Sequence, residues 1–169
     1  MQQTITLPAL TGRKTIAQAS DVFVYINSGF KDLNLDFQDK PTKETNLEIC
    51  ELTKNKTFAQ IFTEPEEMCI SQEQIIEFCR NHNDKLSKNG YTLFLFKVGK
   101  KFFVAFVDLD HYVQLFALVD PFSDAYVWSA DGRHQFVLPQ LTPKNPKSSP
   151  LDTNDTLTLE SAIERVKKV

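Results

Sequence analysis

The stretch YTLFLFKVGKKFFVAFVDLDHYVQLFALVDP, residues 91–121, carries the densest apolar pattern in the chain. It consists mainly of β-branched, aliphatic and aromatic residues, interrupted by two short polar segments. A turn at Gly99-Lys100 predicts a hairpin, and a second turn at residues 109–111 predicts a third strand that ends before Pro121. We therefore expect an antiparallel meander at the centre of the fold.

Neither face of this meander has the polar residues that a solvated face requires. Successive side chains of a strand point to opposite faces, and a sheet with one face in water alternates apolar and polar residues. Here the alternate sets are both apolar: Leu93 and Leu95 against Phe94 and Phe96, then Phe102, Val104 and Phe106 against Phe103, Ala105 and Val107, then Tyr112, Phe116 and Leu118 against Val113, Leu115, Ala117 and Val119. Two interpretations follow. Either the chain's own segments cover both faces, or a second chain packs on a Phe-rich face.

Phenylalanine dominates the aromatic residues, with 14 copies against four tyrosines and one tryptophan. Phe brings a large apolar area without a polar group, so it favours cores and interfaces. The 169 residues are 41% apolar and 24% charged, with a net charge of -3. This balance is typical of a folded cytoplasmic protein. The first 15 residues contain no long apolar run, so we expect neither a secretory signal nor a membrane span there.

A helix before the meander is indicated by a capping pattern. Ser71 and Gln74 match a capping box, and the apolar stripe that follows predicts a helix from Ser71 to Leu86. The other predicted elements are an extended arm at residues 1–14, a helix at Thr15–Ile26 whose Val22–Ile26 part also favours a strand, a surface loop at residues 27–46, a strand at Leu47–Thr53, one helical turn from Thr57 to Phe62, and a second hairpin that turns at Asp131-Gly132.

The composition changes at Leu141. Residues 142–157 contain three prolines and few apolar residues, which is typical of a linker. Residues 158–169 predict an amphipathic helix with Leu159, Ile163 and Val166 on its apolar face and a basic C-terminal end. This helix can dock on its own domain or on a partner. No glycine stop follows it, so we expect the native chain to continue.

Residues able to carry chemistry form no complete pattern. Asp108, Asp110 and His111 resemble part of a divalent-metal site, but Asp and His are also ordinary turn residues, and we favour the turn. Cys79 is one helical turn from His82, yet it lies on the apolar stripe, where a thiol is usually inert. The sequence contains no P-loop, dinucleotide or G-x-S-x-G motif. We predict no catalytic, cofactor-binding or metal-binding residue.

These patterns predict an α+β domain over residues 1–141, built on an antiparallel meander of four to five strands with one or two helices packed on it. The linker at residues 142–157 and the C-terminal amphipathic helix at residues 158–169 follow. The predicted function is a non-enzymatic protein-interaction or adaptor role in the cytoplasm, with a protein partner or a second copy of the chain. The contact residues would be Phe94, Phe96, Phe102 and Phe106, or the opposite set with Phe103, together with Leu159, Ile163 and Val166.

Nucleic-acid binding is the alternative function. Lys97, Lys100 and Lys101 are interleaved with aromatic residues, as in sheets that stack RNA bases. However, the glycines of that signature are missing, and the net charge of -3 gives no broad basic surface. A third alternative is a hydrolase-like enzyme that uses the Asp and His residues of the 108–111 turn. No membrane partner is expected.

Overall fold

The structure, a computed structural model, describes residues 3–141. Over these residues it has a mixed α/β fold, with a seven-stranded and mostly antiparallel sheet, four short helices and a separate two-stranded ribbon. The strands are β1 (Gln3–Leu7), β2 (Tyr25–Ile26), β3 (Thr45–Glu51), β4 (Lys56–Thr57), β5 (Tyr91–Val98), β6 (Lys101–Leu109), β7 (Leu115–Pro121), β8 (Val127–Trp128) and β9 (Gln135–Pro139). The helices are α1 (Gly29–Asp32), α2 (Phe58–Ile61), α3 (Pro65–Met68) and α4 (Gln72–Asn81).

The predicted meander is present as β5, β6 and β7, which pair in sequence order and antiparallel. The sheet is larger than predicted, with the order β1-β3-β9-β5-β6-β7-β2. Two of its pairs are parallel, β5 with β9 and β2 with β7. The strand predicted at Leu47–Thr53 is confirmed as β3, which begins two residues earlier and pairs with β1 and β9.

The predicted hairpin about Asp131-Gly132 is wrong. β8 pairs with β4 in the separate ribbon, whereas β9 enters the main sheet between β3 and β5. A 3-10 turn at Ala130–Gly132 and a left-handed Arg133 (φ 56°) redirect the chain between these two strands. The physical reason is burial, because Val137 of β9 is fully buried at the centre of the sheet.

The first face of the sheet, which carries Phe94 and Phe96, packs against α4. The predicted capping box is confirmed, since the Ser71 hydroxyl accepts from the Gln74 N–H and the Gln74 side chain accepts from the Ser71 N–H. The helix ends at Asn81 rather than at Leu86. A 3-10 turn at Asn83–Lys85 follows, and Leu86 still reaches the first-face core.

The helix predicted at Thr15–Ile26 is largely wrong. Only a 3-10 turn at Ile16–Gln18 forms, because the Thr15 hydroxyl donates to Asp36 instead of capping a helix. The chain then joins the sheet as β2, in agreement with the β-branched residues of that segment. The loop predicted at residues 27–46 contains α1 and is not wholly at the surface, since its Phe30 is fully buried and stacks on Phe96 at 6.2 Å.

The second face, which carries Leu93, Leu95 and Val104, is covered by α2, α3 and the segment between β7 and β8. The helical turn predicted after Thr57 is confirmed as α2, with a complete capping box between Thr57 and Gln60. Phe58, Ile61 and Phe62 of this turn are buried against the sheet. The chain's own residues therefore cover most of both apolar faces.

The chain passes from the second face to the first at Cys69–Ile70. There the Ile70 N–H donates to the Leu95 carbonyl at 2.9 Å, just beyond the last residue pair that joins β5 to β9. Cys69 packs with the second-face cluster and Ile70 with the first-face core. The predicted linker and terminal helix lie outside the described residues. Among residues 3–141, no helix is long and apolar enough to cross a membrane.

Candidate interaction surface

The outer half of the second face carries apolar side chains that the covering layer does not bury. In β7, Leu115, Ala117 and Val119 point into the first-face core, so the alternate residues Phe116 and Leu118 point to the second face. Both are half-buried, and neither packs against either of the two core clusters. They therefore form an apolar surface outside the two hydrophobic core clusters of the domain.

Tyr25 and Phe106 extend this surface on either side of β7. Tyr25 of β2 lies opposite Phe116 in the parallel pair, with the ring centroids 6.3 Å apart and Tyr25 46% exposed. Phe106 of β6 lies opposite Leu118, and its ring packs on Trp128 with the ring centroids 5.5 Å apart. We call the surface formed by Tyr25, Phe106, Phe116 and Leu118 the β7 patch.

Two carboxylates lie beside the β7 patch on the same face of the sheet. Asp108 is directly opposite Phe116, and Asp120 of β7 is directly opposite Val104. In the described part of the chain the ion pairs are Arg80–Asp21, Lys85–Asp84 and Lys97–Glu66, so neither carboxylate is neutralised there. Partial burial raises the pKa of Asp120 above its ordinary value. The patch is therefore apolar at its centre and acidic at its sides.

Three of the predicted contact residues lie in the core rather than on the surface. Phe94, Phe96 and Phe103 are between 0% and 7% exposed and pack in the first-face cluster. The grouping of Phe94 and Phe96 with Phe102 and Phe106 is also wrong. Phe96 pairs with Phe103 across the hairpin, so Phe94 and Phe96 share the first face with Phe103. Phe102 and Phe106 lie on the second face.

The other predicted contact residues within the described part of the chain, Phe102 and Phe106, are both half-buried. Phe102 is half-buried, with the Lys97 ammonium 5.4 Å above its ring and Phe122 at 6.2 Å. Phe106 belongs to the β7 patch. The predicted terminal contacts Leu159, Ile163 and Val166 lie outside the described residues.

The three lysines of the nucleic-acid alternative do not form one basic surface. Lys97 is engaged by Glu66, with its ammonium 2.7 and 2.8 Å from the two carboxylate oxygens. Lys100 and Lys101 are exposed at the hairpin turn. Only these two cations of the predicted set are therefore available to a phosphate backbone.

The turn at residues 108–111 is explained by its own hydrogen bonds. The Asp110 carboxylate accepts from the backbone N–H groups of Tyr112 and Gln114, at 3.0 and 2.8 Å. Across residues 3–141, no group of three or more His, Cys, Asp and Glu side chains is arranged to hold a metal ion. Cys79 is fully buried, and burial raises the pKa of its thiol.

An aromatic cluster near the β7 patch was not predicted from the sequence. Trp128 is 5% exposed and contacts five rings, those of Phe58, Tyr91, Phe106, Tyr126 and His134. The His134 ring stacks on Tyr91, and its Nδ1 accepts from the Tyr91 N–H at 2.9 Å. Burial lowers the pKa of His134. Beside it lies an open cavity of about 490 Å³ whose lining mixes acidic and basic side chains.

Comparison of the chain with protein families, with curated proteins and with solved structures found no match.

Proposed function

We propose that this chain is a protein-interaction domain whose β7 patch binds a short apolar segment carrying basic residues. The observation that supports the proposal is the combination of the two half-buried residues Phe116 and Leu118, which belong to neither core cluster, with the carboxylates of Asp108 and Asp120 beside them. Of the contact residues predicted from the sequence, only Phe106 belongs to this patch.

The energetics favour an apolar ligand held in orientation by charge. Completing the burial of a Phe or Leu side chain contributes at most ~1.5–3 kcal/mol, so a few half-buried residues support a micromolar rather than a nanomolar complex. Carboxylates at the rim add association rate and selectivity for Lys or Arg more than they add affinity. The same carboxylates repel phosphates, so the β7 patch favours a protein segment over a nucleic acid.

The test uses a displayed library of random 16-residue peptides selected against the full chain. We expect the selected peptides to combine two or three apolar residues with Lys or Arg, and to bind with a Kd in the micromolar range by fluorescence anisotropy. Leu118→Asp should abolish binding. Val127→Asp is the control, because Val127 is an apolar strand residue that lies outside the patch and is 56% exposed.

Charge reversal separates the interaction proposal from the nucleic-acid alternative. Asp120→Lys should weaken binding of the selected peptides at low salt. Most of this loss of affinity should disappear at high salt. Binding that survives Leu118→Asp would overturn the proposal. So would tight binding of a labelled single-stranded RNA that is lost on replacing Lys100 and Lys101 by Glu.

A further inference from the structure

The β7 patch has a chemical counterpart within the chain itself. Residues 158–169, TLESAIERVKKV, place Leu159, Ile163 and Val166 at spacings of four and three, so one helical face would carry them. Arg165, Lys167 and Lys168 supply basic residues that the carboxylates beside the patch would attract, and with Glu160 and Glu164 they leave the side chains of the segment a net charge of +1, three basic minus two acidic. Both requirements of the proposed ligand are therefore met by this segment.

The distance from Leu141, the last described residue, to the β7 patch can be estimated from the geometry of the sheet. β9 lies three strands away from β7, which is ~14 Å across the sheet. β9 runs parallel to β5 and therefore ends near the Gly99 hairpin, whereas Phe116 is level with Tyr91 at the opposite end of β5. That difference is ~23 Å along the strands, so the direct distance is ~27 Å.

The intervening segment is long enough for this distance. Residues 142–157 are 16 residues of linker composition. A flexible chain of this length has a root-mean-square end-to-end distance of ~20–24 Å and a fully extended reach of more than ~50 Å. A linker whose average length approaches the required span gives an effective concentration of the order of 1 mM.

We infer that residues 158–169 occupy the β7 patch of their own chain and compete there with a protein partner. This inference rests on the proposed function of the patch. An intrinsic dissociation constant of ~0.1 mM at an effective concentration of ~1 mM leaves about a tenth of the patches free. The apparent affinity for any other ligand of the patch is then about tenfold lower than the intrinsic affinity.

The first experiment measures a library-selected peptide binding to the full chain. Ile163→Asp should raise the affinity about tenfold, because it removes the competing segment. Ser161→Asp is the matched control, since it adds the same charge to the segment away from the apolar face and should leave the affinity nearly unchanged. An affinity that does not change with Ile163→Asp overturns the inference.

The second experiment locates the segment directly. The photo-crosslinking residue benzoylphenylalanine replaces Phe116, and the crosslinked peptide is identified by mass spectrometry. A crosslink to residues 158–169 in a product of monomer mass is the expected result. A crosslink found only in a product of dimer mass, or no crosslink to this segment, overturns occupancy by the same chain.

The two proposals fail in different ways. If Leu118→Asp leaves peptide binding intact, the β7 patch is not the binding surface and both proposals fall. If Leu118→Asp abolishes peptide binding while Ile163→Asp behaves like the unchanged chain, the interaction surface stands and only the internal competitor is refuted.

Discussion

Phe62 provides the sharpest test of how the second face is closed. It is fully buried, and its ring meets the Phe136 ring edge-on at 6.3 Å between centroids. Replacing Phe62 by Ala removes this buried ring and leaves a cavity between α2 and the sheet. Truncations of this kind cost ~3–5 kcal/mol, a large part of the ~5–15 kcal/mol that stabilises a typical domain.

Urea unfolding followed by circular dichroism measures this cost. With a slope of ~2 kcal/mol per molar, a loss of ~4 kcal/mol lowers the midpoint by roughly 2 M. Tyr126→Ala is the control, because Tyr126 is an aromatic residue of the same region that is 61% exposed. Its ring contacts Trp128, so we expect that change to cost about 0.5–1.5 kcal/mol, well below the cost of Phe62→Ala. If Phe62→Ala shifted the midpoint no further than Tyr126→Ala, α2 would not be packed on the sheet and our account of the second face would fail.

Two further predictions concern a helix cap and a buried imidazole. Ser71→Ala removes the hydroxyl that accepts from the Gln74 N–H, so we expect a loss of ~1 kcal/mol in the free energy of unfolding, and an unchanged urea midpoint would contradict the capping role. Burial lowers the pKa of His134, so below the unfolded-state value of about 6.5 the unfolded chain binds a proton that the folded chain does not. Stability should therefore fall as the pH drops from 7.5 to 5.5 and level off below the folded-state pKa. A proton NMR titration, with His134→Gln identifying the resonance, should show a midpoint below 6.5, and a midpoint at or above it would refute the assignment.

Three local signals in the sequence predicted local structure correctly. The turn at Gly99-Lys100 produced the β5–β6 hairpin, the predicted capping box of Ser71 and Gln74 forms, and the helical turn predicted from Thr57 is present as α2. These features depend on residues within a few positions of one another, so their physical causes can be read from short stretches of sequence.

Pairing between distant strands could not be read in the same way. The sequence of β9 is compatible with a hairpin to the strand before it, and nothing local shows that it inserts between β3 and β5. The Thr15 hydroxyl is a plausible helix cap until Asp36, far along the chain, accepts its hydrogen bond. In both cases a tertiary partner decides between conformations that the local sequence allows.

Of the four residues of the β7 patch, only Phe106 was among the contact residues predicted from the sequence. The alternation in β7 placed Phe116 and Leu118 on one face, and the structure confirms that arrangement. The alternation did not show that α2 and the segment before β8 leave Phe116 and Leu118 partly uncovered. Nor did it place Tyr25 beside Phe116, because the two residues meet only through the parallel pairing of β2 with β7. Predicting which of these residues are accessible therefore requires the order of the strands in the sheet.

The central position of β9 has a consequence for synthesis of the chain on the ribosome. β1 and β3 form one part of the sheet and β5, β6, β7 and β2 form another, and only β9 joins them. A nascent chain that ends before Gln135 would hold two sheet parts, each with an unpaired inner edge open to association with other chains. The pairs that unite them, such as Ile49 with Val137, are also far apart in sequence and slow to form. Folding of the whole domain therefore waits for its last described strand.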